Sequence, residues 1–328
     1  MRLAPFTTLR LGGPAERLVE ARTEDELVAA VRERPALVLA GGSNVVIADA
    51  GVPGTVVLVR TRGISREGTR LVVAAGEPWD EVVASCVAAG LQGFECLSGI
   101  PGSTGATPIQ NVGAYGQEVA ETVEWVRVYD REGDCVRVMD AAECGFAYRR
   151  SVFKYRDRWT VLAVGFRLRE DRQSGPLRYA ELARALGVPV GGRAGLAEVR
   201  SAVLALRRGK GMVIDPADPD SVSAGSFFTN PILSAEAFAA LPGSPTAFPE
   251  PDGRIKTSAA WLIERAGFAR GHAAGRVAIS TKHTLALVNR GGATTVELMA
   301  LARTVAAGVR TAFGVELHPE PVLIGHSW

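Results

Sequence analysis

No stretch of this 328-residue chain approaches the roughly 18 apolar residues of a membrane-spanning helix, and its opening, MRLAPFTTLRLGG, has no long apolar core. Membrane insertion is not expected, and a cytoplasmic location is. Charge of one sign is also lacking. The 37 Lys and Arg stand against 35 Asp and Glu, for a net +2. That balance argues against a general nucleic-acid or membrane-surface binder, although local basic clusters can still hold a phosphorylated ligand. Cysteines are few: Cys86, Cys96, Cys135 and Cys144. None forms a CxxC pair, and no histidine lies at metal-ligand spacing from them. No metal is expected; buried, reduced thiols are. There is no convincing repeat, low-complexity tract or charge block. Aromatic residues are scarce, at 6%.

What remains is ordinary globular material. Hydrophobic residues make up 47% of the chain and charged residues 22%, enough to bury a sizeable core. The length suits two or three domains, and 37 glycines with 18 prolines imply many turns. Thr23-Glu-Asp-Glu26 reads as a capping box that opens a helix running to Pro35. LVLAGGSN (Leu37 to Asn44) reads as a buried strand entering a turn. Strands are expected at Thr55–Val59, Leu71–Ala75 and Thr160–Leu168, and a helix from Pro78 to Gly90. Val123–Asp130 and Cys135–Asp140 alternate polar and apolar residues around Arg-Glu-Gly, which predicts a hairpin. Glu170 to Gly175 is polar and unpatterned, a plausible boundary. Beyond it, helices are expected at Leu196–Arg208 and Lys256–Gly267. A second capping box, Thr294 to Glu297, opens a long helix that buries Leu298, Leu301, Ala302, Val305 and Val309 and stops at Gly314.

Five stretches carry residues suited to chemistry. Gly41-Gly42-Ser43-Asn44 lets backbone amides approach a phosphate, with Ser and Asn as added donors; an ordinary turn is the competing reading. SGIPGSTGATPIQNVGAYG (Ser98 to Gly116) is a long glycine-rich loop without Lys or Arg. It suits backbone and hydroxyl contact with a large cofactor, and Ile100, Ile109 and Val112 are expected to be buried. In AYRRSVFK (Ala147 to Lys154), an arginine can hold a carboxylate or stabilise an oxyanion, or the Arg-Arg pair is simply solvated. Ser226 in SAGSFFTNP has neither an adjacent base nor a GxSxG elbow. It is a proton donor or a turn residue more than a nucleophile. In ELHPEPVLIG, Glu320 sits between two prolines that nearly fix its backbone, catalytic or merely exposed.

Together, in this order and across nearly the whole chain, these stretches resemble the UDP-N-acetylenolpyruvoylglucosamine reductases, the MurB flavoenzymes of peptidoglycan precursor synthesis. The resemblance implies an α+β fold. An FAD-binding region of the vanillyl-alcohol-oxidase (PCMH) type, in two subdomains, would occupy 1–169. A connecting segment with a substrate loop would follow at 170–195. A substrate-binding α+β domain would fill 196–328, its last segment returning toward the flavin site. It implies that FAD is cradled by Gly41, Gly42, Ser43 and Asn44, and by Gly99, Pro101, Gly102, Gly105, Ala106, Gln110, Asn111, Gly113, Ala114 and Tyr115.

The resemblance also implies the reaction. NADPH reduces FAD, UDP-N-acetylglucosamine enolpyruvate then takes the same site, hydride passes from flavin N5 to C3, and C2 is protonated to give UDP-N-acetylmuramate. The catalytic positions fall on Arg149, Ser226 and Glu320, with Ser226 as the proton donor. Substrate contacts fall on Tyr148, Tyr179, Arg207, Lys210, Asn230 and His283, the last standing where some relatives have glutamine. A monomer is expected. The alternatives are another flavoprotein oxidoreductase of the same cofactor fold, acting on a different alcohol or sugar, and a nucleotide-sugar binding module without catalysis.

Overall fold

The computed structural model describes residues 1–243 and 245–328. It resolves into two compact units that interleave along the chain, where the expected domains are contiguous. The first comprises Met1, Ala15–Gly42 and Val52–Gly209; the second comprises Arg2–Pro14, Ser43–Gly51 and Lys210–Trp328.

In the first unit, Val-rich segments form a parallel three-stranded sheet in the order Ala15–Ala21, Val52–Val59, Leu37–Leu39. Parallel strands need a crossover connection, usually a helix, and the helix Glu24–Arg32 supplies the one from Ala15–Ala21 to Leu37–Leu39, opened by the expected capping box at Thr23. A five-stranded antiparallel sheet runs Cys135–Asp140, Val123–Asp130, Trp159–Arg167, Arg70–Ala74, Ile64–Glu67. The expected hairpin closes with Asp130 paired to Cys135. One continuous apolar core joins Val57 and Val73 with Val126, Val164 and an aromatic cluster, in which Phe94 meets Trp79 and Phe166 edge-on at 4.9 and 5.0 Å.

Two expectations change here. Glu170 to Gly175 is no boundary between the compact units: Arg169–Glu170 pairs with Leu91–Gln92 inside the first unit. The helix Leu196–Gly209 also belongs to the first unit, because its apolar face packs on a satellite core with Leu177, Leu182 and Cys96.

The second unit holds a four-stranded antiparallel sheet, ordered Ser223–Ser226, Ala286–Asn289, Val277–Ile279, Ala273–Ala274. The helix Thr295–Phe313 buries the five predicted residues, starts from the predicted capping box and ends at Gly314 with φ +69°. The helix expected at Lys256–Gly267 is shorter, Ala259–Arg265. Ile255–Thr257 instead forms the middle strand between Ile232–Leu233 and Ala247–Pro249, and Ser258 caps the helix. Strand Val45–Ile47 pairs in parallel with Val322–Ile324.

Three thiols, Cys86, Cys96 and Cys144, are buried as expected, whereas Cys135 is exposed at the end of an edge strand. No helix among the described residues is long and apolar enough to cross a membrane.

Candidate functional site

In the first unit the glycine-rich loops meet. A Cβ on Gly41 would lie 2.5 Å from the Cα of Gly102, so only glycine permits this approach. Gly99, Gly102 and Gly42 have φ of +71°, +116° and +60°. The loop is laid over the start of helix Trp79–Ala88. Trp79 N donates to Gly102 O at 3.0 Å, Thr104 N to Glu77 O at 2.8 Å and Gly105 N to Ala75 O at 2.9 Å. Gly99 N donates to Asp80 Oδ1 at 2.5 Å, and Arg200 holds the same carboxylate with two bonds, at 2.6 and 2.9 Å. Burial pushes the Asp80 carboxyl up, but Arg200 and the Gly99 amide outweigh it and hold it below its ordinary value.

The second half of the loop is a hairpin, Gly113–Ala114 against Gln117–Glu118. Its two turn residues, Tyr115 and Gly116, have φ of +50° and +82°, the signature of a type I′ turn. Glycine accepts this conformation freely; a tyrosine does not. Tyr115 is held there with its ring edge-on to Tyr179, centroids 5.4 Å apart. Burial raises its hydroxyl to about 12, so the phenol stays neutral. Arg207 is buried, and its Nε donates to Gly99 O at 3.2 Å. Burial lowers its pKa, opposed by Tyr115 and Asp80. Ile100 and Ile109 are partly buried against the core, and Val112 is half-buried.

AYRRSVFK grips this hairpin. Arg149, at φ +52°, donates from Nη2 to Gly113 O at 2.7 Å and from Nη1 to Asn111 O at 3.3 Å. Tyr148 lies against its guanidinium at 5.1 Å. Ser151 Oγ donates to Ile109 O at 2.6 Å, and Lys154 Nζ to Gln110 Oε1 at 3.4 Å. The Arg-Arg pair is therefore divided: Arg149 is half-buried in the hairpin and Arg150 is exposed.

In the second unit, strand Ser223–Ser226 carries an irregularity before Ser226, which pairs with Ala286. Gly225 at φ +73° makes it, a bulge that re-aims the serine. Phe227 and Phe228 follow, each 1% exposed, and anchor the chain in the core directly after the half-buried serine. Phe227 N donates to Leu285 O at 2.7 Å, and Glu320 N donates to Phe227 O at 2.8 Å. Thr229 N reaches His318 O at 3.0 Å. The closing segment is thus zipped onto the residues that follow Ser226. Asn44 joins it: its amide donates to Glu320 O at 3.4 Å, and its carbonyl accepts from Val322 N at 3.0 Å.

His283 sits in the turn between strands Val277–Ile279 and Ala286–Asn289, and its carbonyl accepts from Ala286 N at 3.0 Å. The loop before Ser226 is fastened to this turn through Asp220, which accepts from Thr281 N at 3.0 Å and Oγ1 at 2.6 Å. Asn230 Oδ1 accepts from Ala259 N at 3.0 Å, at the start of helix Ala259–Arg265. Lys210 opens the C-terminal segment of this unit, half-buried.

The expected residues thus gather in two sets. Gly41, Gly42, the loop to Tyr115, Tyr148, Arg149, Tyr179 and Arg207 belong to the first unit. Ser43, Asn44, Lys210, Ser226, Asn230, His283 and Glu320 belong to the second. Asp80, Asp220 and Glu118 carry no sequence signal, being single acids outside the motifs. Among the described residues no group of three or more His, Cys, Asp or Glu is placed to hold a metal.

Comparison with known proteins matches two domain families. Residues 15–139 match an FAD binding domain, and residues 216–324 match the C-terminal domain of UDP-N-acetylenolpyruvoylglucosamine reductase. A UDP-N-acetylenolpyruvoylglucosamine reductase of Thermobifida fusca is 58% identical, covering 98% of this chain and 96% of its own length. One of Streptomyces coelicolor is 56% identical, covering 98% and 89%. The crystal structure of the reductase from Thermus caldophilus superposes with a TM-score of 0.71 at 27% identity, over 99% of this chain and 97% of that one.

Proposed function

Because the chain belongs to the UDP-N-acetylenolpyruvoylglucosamine reductases, we propose that it reduces UDP-N-acetylglucosamine enolpyruvate to UDP-N-acetylmuramate at the expense of NADPH. FAD is its cofactor. The first unit fits that group: the close approach of Gly41 to Gly102, which any Cβ would block, brings the backbones of the two glycine-rich loops together, and the longer loop offers amides and hydroxyls without fixed cations. When bound, the flavin supplies a two-electron hydride relay between the nicotinamide and the substrate.

The protein's own task is then to manage charge and one proton. Once C3 of the enolpyruvyl group has gained hydride, negative charge develops at C2 and its carboxylate. Arg149 supplies the cation that stabilises it. Ser226 Oγ delivers the proton to C2, its position set by the Gly225 bulge and the two buried phenylalanines. Glu320 completes the catalytic set. Tyr148, Tyr179, Lys210, Asn230 and His283 orient the sugar nucleotide. Arg207, tied to Gly99 O, shapes the cofactor loop as well as serving as a phosphate contact. We place the enzyme in the cytoplasm, as a monomer.

The observation that carries this reading is the backbone bond from Glu320 N to Phe227 O, which fastens two motifs distant in sequence to one point beside Ser226. The test is a visible spectrum. The purified protein should be yellow, bleach anaerobically with NADPH, and recover its colour on adding the enolpyruvyl sugar nucleotide. A colourless protein that takes up no FAD would overturn the reading. Bleaching without recovery would favour a flavoenzyme with another acceptor.

A further inference from the structure

Glu118 lies outside every motif above, two positions beyond the glycine-rich run. It faces Gly113 across the hairpin. One carboxylate oxygen accepts from Asn111 Nδ2 at 2.7 Å, and the other stands 3.9 Å from Nη1 of Arg149. The same guanidinium donates to the carbonyls of Asn111 and Gly113. Three contacts on Arg149 therefore come from one hairpin. A Cβ on Gly113 would lie 2.9 Å from Glu118 Cγ and 3.1 Å from Arg149 Nη1, so the glycine leaves just enough room for carboxylate and guanidinium together. Asn111, at φ +44°, completes the brace: its Oδ1 accepts from Ala120 N at 3.1 Å and its Nδ2 also reaches Ala147 O at 3.2 Å, one residue before Tyr148.

An ion pair this long and this accessible, with side-chain exposures of 18% and 37%, adds little to stability. Its consequence is directional. Arginine has a long side chain with much rotamer freedom to lose, and a cation that must meet a developing charge acts best when its place is set beforehand. We infer that Glu118 is a positioning residue for the reduction: together with Asn111 it holds the Arg149 guanidinium at the hairpin, aimed for the substrate's carboxylate. This rests on the role given to Arg149 above.

The test uses Glu118→Gln, which keeps the shape and the acceptor for Asn111 but removes the charge, beside Arg149→Gln and the double variant. Anaerobic stopped-flow separates flavin reduction by NADPH from reoxidation by the enolpyruvyl sugar nucleotide. In Glu118→Gln, flavin content and the rate of reduction should stay within about twofold of the parent, and the melting temperature within about 2 °C. Reoxidation should slow by about tenfold or more. Glu118→Asp, which keeps the charge, should recover part of that loss. The double variant should be no slower than Arg149→Gln, because the two residues act as one unit. Parental reoxidation in Glu118→Gln with a slow Arg149→Gln overturns the inference alone, as do additive losses in the double variant. Loss of flavin or of melting temperature in Glu118→Gln overturns it in favour of a structural role. Parental reoxidation in Arg149→Gln removes the role of Arg149 and the inference with it.

Discussion

Ser226 and Gly41 represent two ways in which one atom decides an outcome. For Ser226 the atom is Oγ. If it protonates C2, Ser226→Ala should leave flavin reduction by NADPH intact while reoxidation by substrate falls about 10²-fold or more, the lower range of general acid–base effects. Stopped-flow of the two half-reactions checks this, and equal losses in both would assign the serine to the fold. For Gly41 the atom is one that is missing. Gly41→Ala places a methyl 2.5 Å from the Gly102 Cα, overpacking of a kind that costs about 1–3 kcal/mol. Flavin affinity should drop roughly tenfold or more by the same measure, read as flavin absorbance per protein after desalting. Tyr115 and Arg149 add a third case, since both hold a left-handed backbone conformation that costs a side-chain-bearing residue energy. Such positions persist only where their surroundings over-determine them, here the Tyr179 ring and the hairpin carbonyls.

Capping, pairing and packing act at the level of the element. Thr294 accepts from Glu297 N at 3.2 Å, and the Glu297 carboxylate returns to Thr294 N at 2.7 Å. Thr294→Ala should therefore lower stability by about 1 kcal/mol and the melting temperature by about 2–4 °C, seen by calorimetry, with activity at 25 °C unchanged. This helix was legible in the sequence because everything that defines it is local: the box, the apolar stripe and Gly314. The hairpin at Asp130 and Cys135 was legible for the same reason. Helix Ala259–Arg265 was misjudged at its start because Ile255–Thr257 is extended only by virtue of two partner strands, which no local pattern records. The five motifs were legible because their unusual residues, taken in order, carry the family resemblance. The residues that brace them did not: Glu118 and Asp80 are ordinary surface-type acids until the hairpin and the helix start place them against Arg149 and Gly99. The division of the chain was hidden too, because residues 2–14 and 43–51 join the second unit through pairings that span most of the sequence.

Titration and assembly are properties of the whole molecule. Burial pushes the thiols of Cys86, Cys96 and Cys144 from 9.0 up to about 12, and the Tyr115 hydroxyl from 10.0 to about 12. Each group is raised above its unfolded value, so the folded state binds more protons across that window. The stability these groups contribute is complete below pH 9 and is lost as pH rises toward about 12. Chemical denaturation should accordingly show a midpoint that falls through this alkaline range. At neutral pH a thiol reagent should label one cysteine rapidly, Cys135, and all four only after unfolding. A final consequence concerns synthesis. Asn44 and Glu320 bond across 276 positions, and strand Val45–Ile47 finds its parallel neighbour only at Val322–Ile324. On the ribosome, that early strand emerges long before its partner exists. The second unit therefore cannot close during translation. It waits with an unpaired Val-Val-Ile edge, open to wrong pairing, until residues 322–324 are released.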